Sequence, residues 1–436
     1  MKIPVSMCLR PGMLALTAWF CVGTLTVPHA QTLEVVPDRV LSDESAAIRA
    51  NGLRPNERVV IRAELVDGAK KPWAAQAEFV ADAQGSIDVS KQAPVSGSYK
   101  EVSAMGLLWS MKPVARDVSV YVHPEDHGPQ SIRFELIRDG QAAASAQLEQ
   151  VRLGDGVRRI KLEGQLHGVL FLPAGKERHP GVLVVGGSEG GAPTLKAAWL
   201  ASRGFAALAL AYFHYEDLPP RLEAIPLEYF GGALIWMMER PEIIADQIAV
   251  MGTSRGGELA LQLGSMYPPI KAVVAYVPAN VRWPACCGNN EVPFAWTWQG
   301  QPLSYWPVGP RQTSKTPEVL LRAEIAVEQT RGPILLISGQ EDGVWASSMM
   351  ADAVVDRLKE HHFSYDVEHL KYAHAGHLAG RPEIMPEWRG SSTRLVFGRE
   401  SDAGGTPAGN AESSVDAMPK VLQFLRQNLE TAVSQR

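Results

Sequence analysis

The segment Ile248–Pro268 reads IAVMGTSRGGELALQLGSMYP, and its parts differ in kind. Ile248–Gly252 is an unbroken apolar run, as expected of a strand buried on both faces. Glu258–Pro268 reads as a helix closed by proline. Between them, Gly252-Thr253-Ser254-Arg255-Gly256 has room only for a sharp turn. A serine in such a strand-to-helix turn projects its hydroxyl above the sheet edge, at the helix N-terminus. Gly252, Gly256 and Gly257 bring no side chains to crowd that turn. A bare G-x-S-x-G recurs by chance, whereas the same motif between a buried strand and a helix carries much more information.

The sequence on both sides repeats the alternation. Upstream lie the apolar strand HPGVLVVGGSEGG, the helix TLKAAWLASRGF with a stop at Gly204, the strand AALALAYF and the helix EYFGGALIWMMER. Downstream come the strand KAVVAYVP, the strand RGPILLISGQED with an acidic exit, the helix SSMMADAVVDRLKEHH, the strand SYDVEHL and a closing helix AMPKVLQFLRQNL. Strands alternating with helices imply right-handed βαβ units and a mostly parallel, doubly wound sheet. The fold class is therefore an α/β-hydrolase-like sheet over residues 151–436. Residues 282–316, rich in Trp, Pro and Gly, and 382–414, polar and glycine-rich, are too long for simple connectors.

Residues 31–150 follow a different rule. RVVIRAELV (Arg58–Val66), WAAQAEFVA (Trp73–Ala81), DVSVYVH (Asp117–His123) and SIRFELIRDG (Ser131–Gly140) alternate apolar and polar positions between turn residues. That pattern predicts a small antiparallel β-sandwich ahead of the α/β region.

Residues 1–30 read as a signal peptide: Lys2 and Arg10, the uncharged run Met13–Val27, then small Ala30. The run is short for a span of about 20 residues, so removal is expected, with periplasmic or secreted location and no stable membrane insertion. Losing Lys2 and Arg10 takes the net charge from −5 to −7. With no basic run, nucleic acid is excluded as a partner. Once Cys8 and Cys21 leave with the leader, only the adjacent Cys286 and Cys287 remain. They read as two small loop residues rather than a disulfide framework.

A serine nucleophile needs a base and an orienting acid, in the chain order Ser, Asp or Glu, His. LLISGQEDGVW places Glu341 and Asp342 just past a buried strand, and HLKYAHAGHLAG places His374 and His377 just past the last one. Asp342 and His377 are chosen, His377 because Gly376 before it gives the imidazole a flexible approach. His361, His362 and His369 fall in the helix-to-strand region and read as surface residues. Oxyanion stabilisation would come from the Arg255 backbone N–H and from the loop VVGGSEGGAP, with Ser188 or Glu189 as donor. That loop lacks the spacing and the lysine of a nucleotide-phosphate loop. No cysteine–histidine cluster has ligand spacing, so neither metal nor cofactor is expected.

Two domains' worth of motifs then resemble one family. SYKEVSAMGLLWSMKP (Ser98–Pro113) is similar to the N-terminal domain of the acyl-CoA thioesterases and bile acid-CoA:amino acid N-acyltransferases. PGVLVVGGSEGGAPTLKAAWLASRGFAALALAYFHYEDLPP, LEYFGGALIWM, GTSRGGELAL and GPILLISGQEDGVWASSMMA resemble their C-terminal hydrolase domain. The resemblance implies a Ser254–Asp342–His377 triad, an acyl-enzyme, and a small-molecule fatty acyl thioester as substrate. The N-acyltransferase members carry cysteine at the nucleophile position, so Ser254 favours water as acceptor. Export would instead favour an oxygen ester, since acyl-CoA is cytoplasmic. Trp283, Trp296, Trp298 and Trp306 would either line an apolar lid or pack the 282–316 insert onto the body. N-terminal sequencing of the exported protein should begin near Gln31, and an intact Met1 would exclude cleavage.

Overall fold

Strand Arg58–Val66 buries every second residue, and Pro72–Val80 and Gln130–Arg138 do the same. Each therefore has one face for a core and one for water. The computed structural model describes residues 30–118, 120–306, 317–387, 394–396 and 399–429, together with Met1. The leader expected at 1–30 lies almost wholly outside these residues. The three strands pair antiparallel in a seven-stranded sheet that also takes in Arg39–Leu41, Gln141–Val151, Ser96–Gly97 and Lys112–Pro113. A three-stranded sheet of Thr32–Val36, Ala47–Asn51 and Ile87–Asp88 accompanies it. The strand expected at Asp117–His123 is absent: the described residues there form no ladder, and Glu125–His127 is a 3₁₀ turn. The alternation in DVSVYVH comes instead from Tyr121 turning inward while Val120 and Val122 stay exposed.

The α/β region builds one eight-stranded sheet. Its strands are β1 (Arg158–Lys161), β2 (His167–Leu172), β3 (His179–Val185), β4 (Ala206–Ala211), β5 (Ile243–Thr253), β6 (Ile270–Tyr276), β7 (Ile334–Gly339) and β8 (Val367–Tyr372). Their order is β1-β2-β4-β3-β5-β6-β7-β8, with β2 antiparallel to both neighbours and the rest parallel. Strands β3 to β7 are nearly all buried, because helices cover both faces of the sheet. The longer helices are α1 (Thr194–Ser202), α2 (Glu228–Glu239), α3 (Arg255–Met266), α4 (Ser347–Glu360) and α5 (Pro407–Leu429). The closing helix starts ten residues before AMPKVLQFLRQNL. Its extra turns come from AGNAESSV, where Asn410, Ser413 and Ser414 are buried and the two serines donate to the Asn410 carbonyl. Polar residues thus made a helical segment look like loop.

The two regions share one apolar core and are tied by hydrogen bonds. Asp43 accepts from Trp199 Nε1 on α1 at 2.8 Å and from Arg203 Nε, just past its end, at 2.9 Å. Three residues beyond the last strand of the α/β sheet also reach the N-terminal region. Ile384 N–H donates to Ser42 O at 2.7 Å, Gln150 Nε2 to Ile384 O at 2.8 Å, and Glu387 N–H to Trp109 O at 2.9 Å. Glu383 lies buried between His123 (3.2 Å) and Arg152 (3.7 Å). Burial alone would raise its pKa, but His123, Arg152 and Arg381 outweigh that and hold it at about 2.

Glu383→Ala should therefore lower Tm at neutral pH. Leaving the buried Arg152 guanidinium without that carboxylate costs on the order of 3–5 kcal/mol. A depressed carboxyl contributes stability in full above its ordinary value of 4.5 and loses it as pH falls to about 2. The Tm gap between wild type and variant, measured by calorimetry, should hold from pH 7 to pH 5 and close towards pH 2.

Candidate active site

Ser254 sits between β5 and α3 with φ 59° and ψ −121°, a left-handed backbone that side chains rarely adopt. Its surroundings leave no alternative. A Cβ on Gly252 would meet Gly256 O at 1.8 Å, and one on Gly256 would meet Gly186 O at 2.3 Å. The turn can close only where backbone packs on backbone. Ser254 N–H donates to Tyr276 O at 2.9 Å, which pins the turn to β6.

The structure brings Ser254, His377 and Asp342 into one chain of hydrogen bonds. His377 Nε2 lies 2.9 Å from Ser254 Oγ. His377 Nδ1 lies 2.9 and 3.0 Å from the two Asp342 oxygens. A carboxylate only accepts, so Nδ1 carries the proton and Nε2 is left to accept from the serine hydroxyl. Asp342 Oδ1 also accepts the Val344 and Trp345 N–H groups at 2.9 and 3.2 Å. Its side chain is 1% exposed, and that of His377 is 13%. The Trp345 ring stands edge-on to the imidazole at 5.2 Å.

The two residues passed over, Glu341 and His374, pair with each other at 3.1 Å, both exposed. His369 is not a surface residue. Its Nε2 lies 2.7 Å from Ser338 Oγ and its Nδ1 lies 3.2 Å from Asp352. This second Ser–His–Asp set is closed off: Ser338 is fully buried inside β7, with no elbow and no helix N-terminus.

At the oxyanion loop, Arg255 opens α3, so its N–H has no intrahelical acceptor. Among the described residues the Ser188 N–H is likewise unclaimed. Glu189, expected as an alternative backbone donor, has a further role through its side chain. Its carboxylate folds back and accepts Gly187 N–H at 3.0 Å. Cys287 Sγ lies 3.2 Å from Ser188 O. Cys286 and Cys287, whose pairing the sequence leaves open, are joined as a disulfide.

Sequence reading had no signal for several other groups. The Arg255 guanidinium turns away from the serine and is buried, donating to Pro284 O at 2.8 Å and Trp283 O at 3.1 Å and pairing with Glu258 at 2.9 Å. Burial raises the Glu258 pKa, with Arg255 opposing. Trp296 donates to Glu258 at 2.7 Å and packs against Tyr212 and Phe230, and Trp298 packs against Tyr267. These two fix the insert to the body. Trp283 stacks on Trp345 at 5.9 Å and Trp306 joins the same apolar cluster, beside His377. Packing onto the body is thus a role of the insert, and its Trp283 and Trp306 add an apolar cluster next to the serine–histidine pair. Residues 307–316 lie outside the described residues. Among those described, His167, Glu216 and Asp217 bring ligand atoms within 4.8 Å, but Glu216 and Asp217 are exposed and Lys161 already pairs with Glu216.

The N-terminal region of acyl-CoA thioester hydrolase/BAAT proteins matches residues 43–164, and their C-terminal region matches 225–431. The chain belongs to the acyl-CoA thioester hydrolase/BAAT family. Among relatives, acyl-coenzyme A thioesterase 6 of Mus musculus is 30% identical over 428 residues, covering 92% of this chain and 97% of that one. Acyl-coenzyme A thioesterase 1 of Homo sapiens is 31% identical with the same coverage. Acyl-coenzyme A amino acid N-acyltransferase 1 of Mus musculus is 31% identical over 421 residues, 91% of this chain and 97% of that one. This member of the family is an enzyme of thioesterase-like hydrolase type.

The partition between the two acid–histidine pairs can be tested by the rate at which a fluorophosphonate labels Ser254. Asp342→Asn, which favours the wrong imidazole tautomer, should slow labelling about 10⁴-fold. Glu341→Gln and His374→Gln should label at the wild-type rate.

Proposed function

We propose that this protein is a serine acyl hydrolase that cleaves acyl thioesters of the acyl-CoA type through an acyl-enzyme. The observation that carries this reading is the continuous Ser254–His377–Asp342 hydrogen-bond chain at a strained elbow. The family membership supports the substrate class.

Ser254 Oγ attacks the thioester carbonyl while His377 Nε2 takes its proton, and Asp342 stabilises the imidazolium that results. The carbonyl oxygen becomes negative and faces the Arg255 and Ser188 N–H groups. Collapse of the tetrahedral species expels the thiol, protonated by His377. Water, deprotonated in turn by His377, then attacks the acyl-serine and releases the acid and Ser254. The Trp283–Trp345–Trp306 cluster beside His377 offers the acyl group an apolar wall.

An oxygen ester is the second reading, favoured by the expected leader, which would take the enzyme away from cytoplasmic acyl-CoA. Transfer to an amino acid, as the name of one mouse relative describes, is less favoured with serine at 254. Parallel assays on long-chain acyl-CoA and p-nitrophenyl esters distinguish the first two. Turnover of acyl-CoA is the expected result, and inert acyl-CoA with rapid ester cleavage would reassign the substrate. Ser254→Ala should lower kcat by roughly 10⁴–10⁶-fold; retained turnover would remove Ser254 as nucleophile.

A further inference from the structure

The loop that faces Ser254 carries a charge its proposed task does not want. A Cβ built on Gly187 would lie 2.7 Å from Glu189 Oε2 and 3.2 Å from Ser254 Cβ. The carboxylate and the nucleophile therefore border the same small space. Ser188 and Glu189 are exposed to solvent, yet a negative charge so close to the nucleophile opposes the negative oxygen that forms during acyl transfer. Yet Glu189 also has a constructive contact, the 3.0 Å bond from Gly187 N–H. That bond fixes the backbone one residue before Ser188, whose N–H is unclaimed.

A cation stands beside the residue that precedes the nucleophile. Lys196 on α1 donates its ammonium to Thr253 Oγ1, on the residue before the nucleophile, and lies 3.7 Å from the centroid of the Tyr276 ring on β6. The charged or titratable groups acting on it are Glu189 from the oxyanion loop and Arg381 from beyond His377. Tyr276 adds its ring face, and burial pushes its phenol above the ordinary value, so it stays neutral.

We propose that Glu189 is a positioning residue for the oxyanion loop and Lys196 its counter-ion. Glu189 holds Gly187 so that the Ser188 N–H meets the oxyanion, while Lys196 cancels the charge that would oppose it. The proposal rests on the acyl-hydrolase reading above. It accounts for a carboxylate beside an anionic transition state and for an α1 ammonium that reaches the Thr253 hydroxyl. Burial is the main influence on Lys196 and lowers its pKa to about 7, with Glu189 raising and Arg381 lowering it. The ammonium is therefore lost as pH rises through neutrality, leaving Glu189 uncompensated.

Four variants test this on the full chain, with p-nitrophenyl ester and acyl-CoA turnover, fluorophosphonate labelling of Ser254 and thermal melts. Glu189→Ala removes the acceptor for Gly187 N–H and should lower kcat about 10²-fold with little change in KM, the scale of a misplaced oxyanion donor. Glu189→Gln keeps an acceptor oxygen without the charge and should recover most of that loss. Lys196→Met leaves the carboxylate alone and should lower kcat by a similar factor. The double variant Glu189→Gln/Lys196→Met should recover to the level of Glu189→Gln, even though it carries the same lysine change. Wild-type kcat should fall as pH rises above about 7, and Glu189→Gln should lose that fall. Undiminished kcat in Glu189→Ala, no recovery in the double variant, or the same alkaline fall in wild type and Glu189→Gln would overturn the proposal. A lowered Tm with unchanged kcat and pH profile would overturn it in favour of a purely structural pair. Wild type that neither labels nor turns over any substrate would remove the hydrolase reading itself, a result distinct from all of these.

Discussion

The backbone at Gly252 and at Gly256 approaches itself and the β3 exit so closely that no side chain fits at either position. Most of the site follows from that. The approach holds Ser254 in its left-handed conformation, lifts its hydroxyl clear of the sheet and leaves the first N–H of α3 unpaired. It also brings the β3 loop up against the nucleophile, since Gly256 packs on Gly186 O and the space beside Gly187 is bounded by Thr253 and Ser254. Strain of this kind persists only where the surroundings over-determine it. Here the surroundings are two buried parallel strands whose registers on β5 are fixed over five or more residues each.

Much of this was legible in the sequence, because the signals were local. Apolar runs that end in glycine marked β3 and β5. Position after a strand marked Asp342 and His377. The same logic put Glu341 and His374 within reach, and only geometry separates the pairs: one side chain turns into the protein and its neighbour turns out. Adjacent residues at a strand exit point to opposite sides, so composition alone has nothing to choose between Glu341 and Asp342.

What the sequence hid depends on contacts between distant residues. Arg255 was read for its backbone, but its guanidinium holds the Trp283–Pro284 segment. Glu189 was read for its backbone N–H, and its carboxylate also accepts from Gly187. Lys196 sits on an ordinary helix, and nothing in TLKAAWLAS says that its ammonium reaches the Thr253 hydroxyl. DVSVYVH failed as a strand because alternation reports burial of alternate residues and not ladder pairing. AGNAESSV failed as loop because its polar side chains are satisfied by backbone groups inside the protein, which composition cannot show. His369 is the converse case, where the right three residue types meet without the elbow that would expose the hydroxyl.

The ties made by Glu383, Ile384 and Glu387 have a consequence for how the chain divides. All three follow within ten residues of His377 and end on the N-terminal region. The nucleophile is supported by the parallel sheet, whereas the stretch leaving the base is moored to the antiparallel one. Domain boundaries drawn from strand patterns therefore cut across the working unit. Exchange of the N-terminal region between relatives would change the footing of the proton shuttle while leaving every triad residue in the recipient half untouched.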